Sequence, residues 1–107
     1  MIRRILAVLS ILVGALLSCA ARAESVPVDC VILPGEMTAS VSLANPLSAT
    51  ASCQANCKFA TPVYDDNPQI ICAKLVPAGK RVEMCRLNAA GNKFTKLVSG
   101  TANCVKP

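Results

Sequence analysis

The residues best suited to chemistry in this chain are its cysteines, because there are seven of them and no histidine. Cysteines in even number in a short exported chain usually form disulfides, since exported proteins meet an oxidising compartment. Beyond the leader described below, six cysteines remain, and we predict that all of them pair: Cys30, Cys53, Cys57, Cys72, Cys85 and Cys104. Their number alone leaves the connectivity open.

Two other uses of cysteine fit the spacing less well. A zinc site would need mostly thiolate ligands in a chain without histidine, and three residues between Cys53 and Cys57 are not the usual spacing of a zinc knuckle. Thiol redox motifs usually place two residues between their cysteines. We therefore expect structural disulfides, with no metal and no cofactor.

Catalysis is also poorly supported by the residue types present. Without histidine the chain has no Ser-His-Asp triad and no Cys-His pair. Asp65 and Asp66 are adjacent, but they lack the alternating ligands and final glutamate of a calcium loop. The sequence Asp-Asp-Asn-Pro is instead typical of a turn. We predict a non-enzymatic protein without catalytic residues.

The N-terminal segment has the features of a secretory signal peptide. Arg3 and Arg4 precede an apolar run over residues 5–17, which is shorter than the roughly 20 residues of a membrane-spanning helix. The sequence Ala21-Arg22-Ala23 then places small residues one and three positions before a cut. We expect residues 1–23 to be removed and residues 24–107 to form one disulfide-stapled mature domain.

A second way of processing the leader stays open. The sequence Leu16-Leu17-Ser18-Cys19 resembles a bacterial lipobox, in which the cysteine receives a lipid. Lipidation of Cys19 would make the protein an outer-membrane lipoprotein instead of a soluble one. Either route leaves six unmodified cysteines, so the cysteine count does not distinguish them.

The net charge of +5 overstates the basic character of the mature chain, because three arginines lie in the leader. Residues 24–107 contain eight basic and six acidic side chains, which is too balanced for a nucleic-acid-binding surface. The basic residues are concentrated after Asn67, where Glu83 is the one acid. We predict that they form a partner-binding surface: Lys74, Lys80, Arg81, Arg86, Lys93 and Lys96.

The pattern of the mature chain predicts a small disulfide-rich α+β domain that is mainly β. Residues 26–33 are rich in β-branched side chains and residues 37–44 alternate apolar with serine, so we predict two N-terminal strands. Asn45-Pro46 is typical of a helix start, and we predict one short helix over about 46–59. Residues 47–53 also alternate with period two, so a strand remains the alternative.

Three further strands, separated by the turns Pro-Ala-Gly-Lys and Asn-Ala-Ala-Gly-Asn, predict an antiparallel meander over about 69–99. If the first turn closes evenly, Cys72 lies opposite Cys85, at a distance that a disulfide can span. If the turn instead carries a bulge at Gly79, Cys72 faces Met84, and each cysteine must find another partner. We take Cys72–Cys85 as the predicted pair and leave the second register open.

These features predict a small exported binding, adaptor or inhibitory module of the bacterial cell envelope, periplasmic or secreted. Its partner would be a protein of the envelope, and it would contact the membrane only if Cys19 were lipidated. The alternative is a released cationic toxin or antimicrobial protein that acts on membranes. The lack of an amphipathic cationic helix rich in Trp or Phe argues against that alternative.

Overall fold

The protein is a sandwich of two antiparallel β-sheets. A computed structural model describes residues 23–106, so the predicted signal peptide and Cys19 lie outside the described residues. The strands are β1 (Glu24–Ser25), β2 (Val28–Ile32), β3 (Thr38–Ala44), β4 (Ala51–Ala60), β5 (Gln69–Val76), β6 (Arg81–Asn88) and β7 (Lys96–Val105). Sheet A has the strand order β1-β7-β4-β5, and sheet B has the order β2-β3-β6.

Strand β4 shows why this sequence forms a sandwich. Its alternate residues are at most 1% exposed and face sheet B: Ala51, Cys53, Ala55, Cys57 and Phe59. The residues between them, such as Ser52 and Gln54, are exposed on the outer face. Small side chains and cystines fill most of this interface, so the large side chains of Phe59 and Phe94 are needed only at one end, where their ring centroids are 5.1 Å apart.

The predicted helix over 46–59 is wrong, because no helix is found among residues 23–106 and most of this segment is strand β4. Cys53 and Cys57 are four residues apart, a spacing that places side chains on one face of a helix and equally on one face of a strand. The period-two alternation distinguishes the two, and it continues from Ala51 to Phe59. The α component of the predicted class is thereby removed, while the small, mainly β, disulfide-rich class is confirmed.

Asn45, predicted to start that helix, instead forms hydrogen bonds with the main chain of two loops. Its Oδ1 accepts a hydrogen bond from the main-chain nitrogen of Leu47 at 2.9 Å, which makes a turn. Its Nδ2 donates to the main-chain oxygens of Ala49 and Val76, both at 2.9 Å. The side chain is 1% exposed, so it fixes from inside two of the crossings between the sheets, residues 45–50 and 77–80.

The predicted meander over 69–99 is also wrong, although two of its strands exist. Strand β5 pairs with β4 in sheet A, whereas β6 pairs with β3 in sheet B. The Pro-Ala-Gly-Lys turn therefore crosses between the sheets instead of closing a hairpin. Both strands have one apolar face, which is the same pattern whether they pair edge to edge or stack face to face.

The remaining strand predictions differ from the structure mainly at their ends. Strand β3 confirms the strand predicted over 37–44, and β2 is shorter than the predicted 26–33. Strand β7 begins after Phe94, which lies in the preceding loop and is fully buried. The strand also continues through Gly100 to Val105. Gly100 does not end the strand; it marks a position where side chains of the other sheet approach the backbone closely.

Candidate functional site

Three disulfides join the six cysteines of the described residues, and one of these bonds lies within sheet A. Cys53 of β4 and Cys104 of β7 are directly opposed, with their Cα atoms 4.1 Å apart. That is the close spacing of a non-hydrogen-bonded antiparallel pair, where facing side chains approach most. Both residues are at most 1% exposed, so the bond lies inside the sandwich.

The other two disulfides connect the sheets. Cys30 of β2 bonds Cys57 of β4, with a Cα separation of 6.0 Å, and Cys72 of β5 bonds Cys85 of β6, with 6.3 Å. The predicted Cys72–Cys85 pair therefore forms, but it crosses the sandwich instead of a hairpin. A disulfide stabilises the folded protein mainly by restricting the unfolded chain, and the effect grows with the length of the loop that the bond closes. For these loops, each bond contributes on the order of 3–4 kcal/mol to stability.

The six predicted basic residues do not form one face. Arg81 pairs with Asp29, and the Nε of Arg86 lies 2.7 Å from Oε1 of Glu83, both on the outer face of sheet B. Lys93 lies at the opposite end, 3.9 Å from Glu36, and Lys96 opens β7 in sheet A. The role of these residues in partner binding stays a prediction, now for separate cations instead of a continuous stripe.

Two of the predicted cations flank the crossing from β5 to β6. Lys74 lies opposite Cys53 in the strand pairing, hence on the inner side of β5, and its Nζ donates to the main-chain oxygen of Glu83 at 3.3 Å. Lys80 is exposed in the turn that follows. The main-chain oxygen of Lys80 accepts a hydrogen bond from the nitrogen of Asn45, which fixes that turn.

Glu83 is the most strongly engaged carboxylate of the described residues. The hydrogen bond from Arg86 is the main reason why the pKa of Glu83 lies below its ordinary value of 4.5. A second contribution comes from the Ser40 hydroxyl, which donates to Oε2 at 2.7 Å. The sequence predicted that Arg86 would be available to a partner, whereas its charge is balanced by that of Glu83 on the outer face of sheet B.

The end of the sandwich opposite Asn45 is built from three loops, residues 33–37, 61–68 and 89–95, which we call the loop end. The main-chain nitrogens of Ala89 and Phe94 donate to the oxygens of Met37 and Glu36, both at 2.8 Å. Nδ2 of Asn92 donates to Oδ2 of Asp66 at 2.9 Å. The three loops are thus held to one another by hydrogen bonds and by the Phe59–Phe94 contact beneath them.

Loop 61–68 presents the most exposed aromatic residue of the described chain. Tyr64 is 98% exposed. The hydroxyl of Thr61, which is buried, donates to the main-chain oxygen of Asp66 at 2.9 Å and accepts from the nitrogen of Val63 at 3.2 Å. Tyr64 is therefore held outward by an ordered turn, with the partly exposed side chains of Val63 and Met37 at the same end.

Backbone strain is found at this same end. Glu36 has φ of 62°, the left-handed conformation that side chains other than glycine rarely adopt. Its nitrogen donates to the oxygen of Leu33 and its oxygen accepts from Phe94, so the strained residue provides one of the two main-chain hydrogen bonds between the first and third loops. Such strain tends to be retained where a defined surface is needed.

Tyr64 was not among the residues that the sequence singled out. It is the one tyrosine of the chain, within a loop rich in proline and aspartate, and an aromatic residue in such a loop is itself a signal of recognition.

Within residues 23–106, no three cysteine, aspartate or glutamate side chains are grouped so as to hold a metal ion. No helix of the described part is long and apolar enough to cross a membrane. No protein-family model, curated protein or solved structure matches the chain.

Proposed function

We propose that this protein is a small exported recognition module of the bacterial cell envelope, a non-enzymatic binding, adaptor or inhibitory protein whose loop end contacts a protein partner. The observation that carries the proposal is the exposure of Tyr64 on an ordered turn. Tyrosine is enriched at the energetic centres of protein interfaces, because it adds a large contact area at a low entropic cost.

The order of the loop end supports binding. A flexible loop loses conformational freedom when it binds, and that loss reduces affinity. Here the hydrogen bonds of Thr61, Asn92 and Glu36 already fix the turn before a partner arrives. A partner would gain the apolar contacts of Tyr64 without ordering the loop.

The charges beside Tyr64 define the partner further. Asp65 is exposed and has no ion-pair partner among the described residues, and Asp66 is held by Asn92. The surface is thus an aromatic and aliphatic tip with a carboxylate at its side. It would fit a protein that offers an apolar pocket beside a lysine or arginine.

Photo-crosslinking in the envelope of the producing bacterium tests this function. A photoreactive residue at Tyr64 should join the protein to one partner, and excess unlabelled protein should compete. The matched control places the same residue at Thr101, which is exposed on the outer face of sheet A. Identical products from both positions, or no product from Tyr64, would overturn the proposal. Asp65→Lys should reduce the yield at position 64.

The location is tested separately. Three disulfides are compatible with an oxidising extracellular or periplasmic location. We propose that the mature chain begins at Glu24, so its intact mass in the periplasm or medium should lack a lipid. A lipid-bearing chain that starts at Cys19 would make it an outer-membrane lipoprotein. Strong leakage of anionic vesicles at low protein concentration would instead favour the toxin alternative.

A further inference from the structure

Strand β5 lies at the edge of sheet A, and within residues 23–106 no strand pairs with its outer side, so the peptide groups on that side can pair with another strand. Cys53 and Cys104 form a non-hydrogen-bonded pair, so the peptide groups of Cys53 point away from β7 and toward β5. Phe59 is an even number of residues after Cys53 in β4, so its peptide groups should point the same way. Its nitrogen does donate toward the β5 side, to the oxygen of Pro68 at 2.9 Å. It follows by alternation that Ile71, Ala73 and Leu75 direct their peptide groups to the open edge.

The side chains of the same three residues make this edge apolar. They alternate with Cys72 and Lys74, which lie on the inner side, so Ile71, Ala73 and Leu75 lie on the outer face of sheet A. Ile71 is 57% exposed and Leu75 is 62% exposed. An exposed edge with apolar side chains and no charge on its outer face is well suited to strand addition.

Strand β6, the neighbouring edge in sheet B, is protected by contrast. Its pairing with β3 shifts register between Val41 and Ser42, which leaves Met84 as an extra residue in a bulge. Its outward positions include charged side chains, Arg81, Glu83 and Arg86. Bulges and charges are the usual means of preventing edge pairing. Strand β5 has no bulge in its pairing with β4, and its one charge, Lys74, lies on the inner side and donates to the main-chain oxygen of Glu83.

We propose that β5 pairs antiparallel with β5 of a second copy of this chain, about a two-fold axis at Ala73. The outward peptide groups of both strands then meet in register. Ile71 lies opposite Leu75 of the second copy, and Ala73 lies opposite its own equivalent. Lys74 faces Cys72 of the second copy, so no like charges are directly opposed.

The charges of the neighbouring edge fit the same axis. The Cys72–Cys85 bond and the hydrogen bond from Lys74 to Glu83 place β6 over β5, with Met84 level with Ala73. A two-fold axis at Ala73 then brings Glu83 of one copy level with Cys85 of the other, next to Arg86 of that copy, and the same relationship holds on the other side of the axis. The Nε of Arg86 donates to Glu83 of its own chain, and its terminal guanidinium nitrogens can donate to Glu83 of the second copy.

The oligomeric state of the disulfide-intact protein tests the proposal. Light scattering or sedimentation from micromolar to millimolar concentration should give a mass of two copies, falling to one on dilution. Ala73→Lys places two ammonium groups at the axis and should give one copy throughout. Thr101→Lys, which adds the same charge on the same outer face two strands away, should leave the dimer unchanged.

A second measurement covers the case in which Ala73→Lys fails to fold. A hydrogen-bonded antiparallel pair has Cα atoms about 5.5 Å apart, within the range of a disulfide. Ala73→Cys should therefore form a dimer joined through position 73, with the three native bonds intact by peptide mapping. A wild type that is monomeric at millimolar concentration would overturn the proposal. So would a dimer that survives Ala73→Lys, or an Ala73→Cys protein that does not crosslink at that position.

Discussion

Gly100 of β7 lies opposite Cys57 of β4, and the space above its Cα is occupied by the disulfide that Cys57 forms with Cys30. A Cβ at position 100 would lie 2.8 Å from the Sγ of Cys30 and 3.3 Å from Cγ1 of Val28. The absence of a side chain at Gly100 is thus what allows the sheets to be joined at this point.

We therefore expect Gly100→Ala to destabilise the protein by about 1–3 kcal/mol through overpacking. Chemical denaturation measures this, with Thr101→Ala on the exposed outer face as a control that should change stability by less than about 0.5 kcal/mol. In a background with Cys30→Ala and Cys57→Ala, the cost of Gly100→Ala should largely disappear. An equal cost in both backgrounds would show that the disulfide does not cause it.

Asn45→Ala should destabilise the protein by about 2–3 kcal/mol, because the main-chain oxygens of Ala49 and Val76 lose their donor and the hydrogen bond to Val76 is buried. Asn45→Asp keeps the acceptor for Leu47 but puts a carboxylate against those oxygens, so it should be worse at neutral pH than at acidic pH. Asn88→Ala, at an exposed position, is the matched control. Equal denaturation midpoints for Asn45→Ala and Asn88→Ala would contradict this role.

Limited reduction should open Cys72–Cys85 first and Cys53–Cys104 last. A thiolate must reach a sulfur to break the bond, and both Cys72 and Cys85 are partly exposed, whereas Cys53 and Cys104 are buried. Alkylation after brief reduction, followed by peptide mapping, gives the order. Early labelling of Cys104 would mean that sheet A opens more readily than its burial indicates.

Stability should fall in acid partly through Glu83. Its pKa is lowered in the folded protein, chiefly by the hydrogen bond from Arg86 and then by that from Ser40, so its contribution is complete above the ordinary value of 4.5. The contribution is lost as the pH falls through the lower folded pKa, because the unfolded chain binds the proton first. Thermal unfolding of Glu83→Gln between about pH 5 and pH 3 should show a shallower decline than the wild type. Parallel curves would argue that Glu83 does not contribute.

The sequence predicted local strands better than their partners. The bounds of β5 and the start of β6 follow from alternating apolar residues between proline and glycine turns, and such patterns are local. Pairing is not local: the turn around Gly79, with φ of 68°, resembles a hairpin turn but joins two sheets. The Cys72–Cys85 pair was correct because a four-residue connection keeps the strands close in either arrangement.

The wrong helix prediction and the omission of Tyr64 from the predicted site have different physical origins. Cys53 and Cys57 satisfy both periodicities, and Asn45-Pro46 occurs at turns as well as at helix starts. The loop position of Tyr64 is visible in the sequence, but its exposure follows only from the structure, since it depends on Thr61 holding the turn. Likewise, charge counting could not reveal that Arg81 pairs with Asp29 of another strand and that Arg86 pairs with Glu83 of its own strand.

The connectivity of the disulfides has a consequence for the time course of oxidation. Cys53 lies between Cys30 and Cys57 in the sequence, yet it bonds Cys104, which follows 51 residues later. A chain that enters an oxidising compartment from its N-terminus presents Cys30 and Cys53 together before either of their native partners. Bonding in the order of emergence would join the wrong pair, and native pairing then requires thiol–disulfide exchange.

The position of Cys104 delays the end of this process further. It lies in β7, the last strand of the described residues, which is placed between β1 and β4 inside sheet A. On the proposed export route, sheet A therefore stays incomplete until β7 has crossed the membrane. We then expect the yield of folded protein to depend on the disulfide isomerase activity of the compartment that receives it.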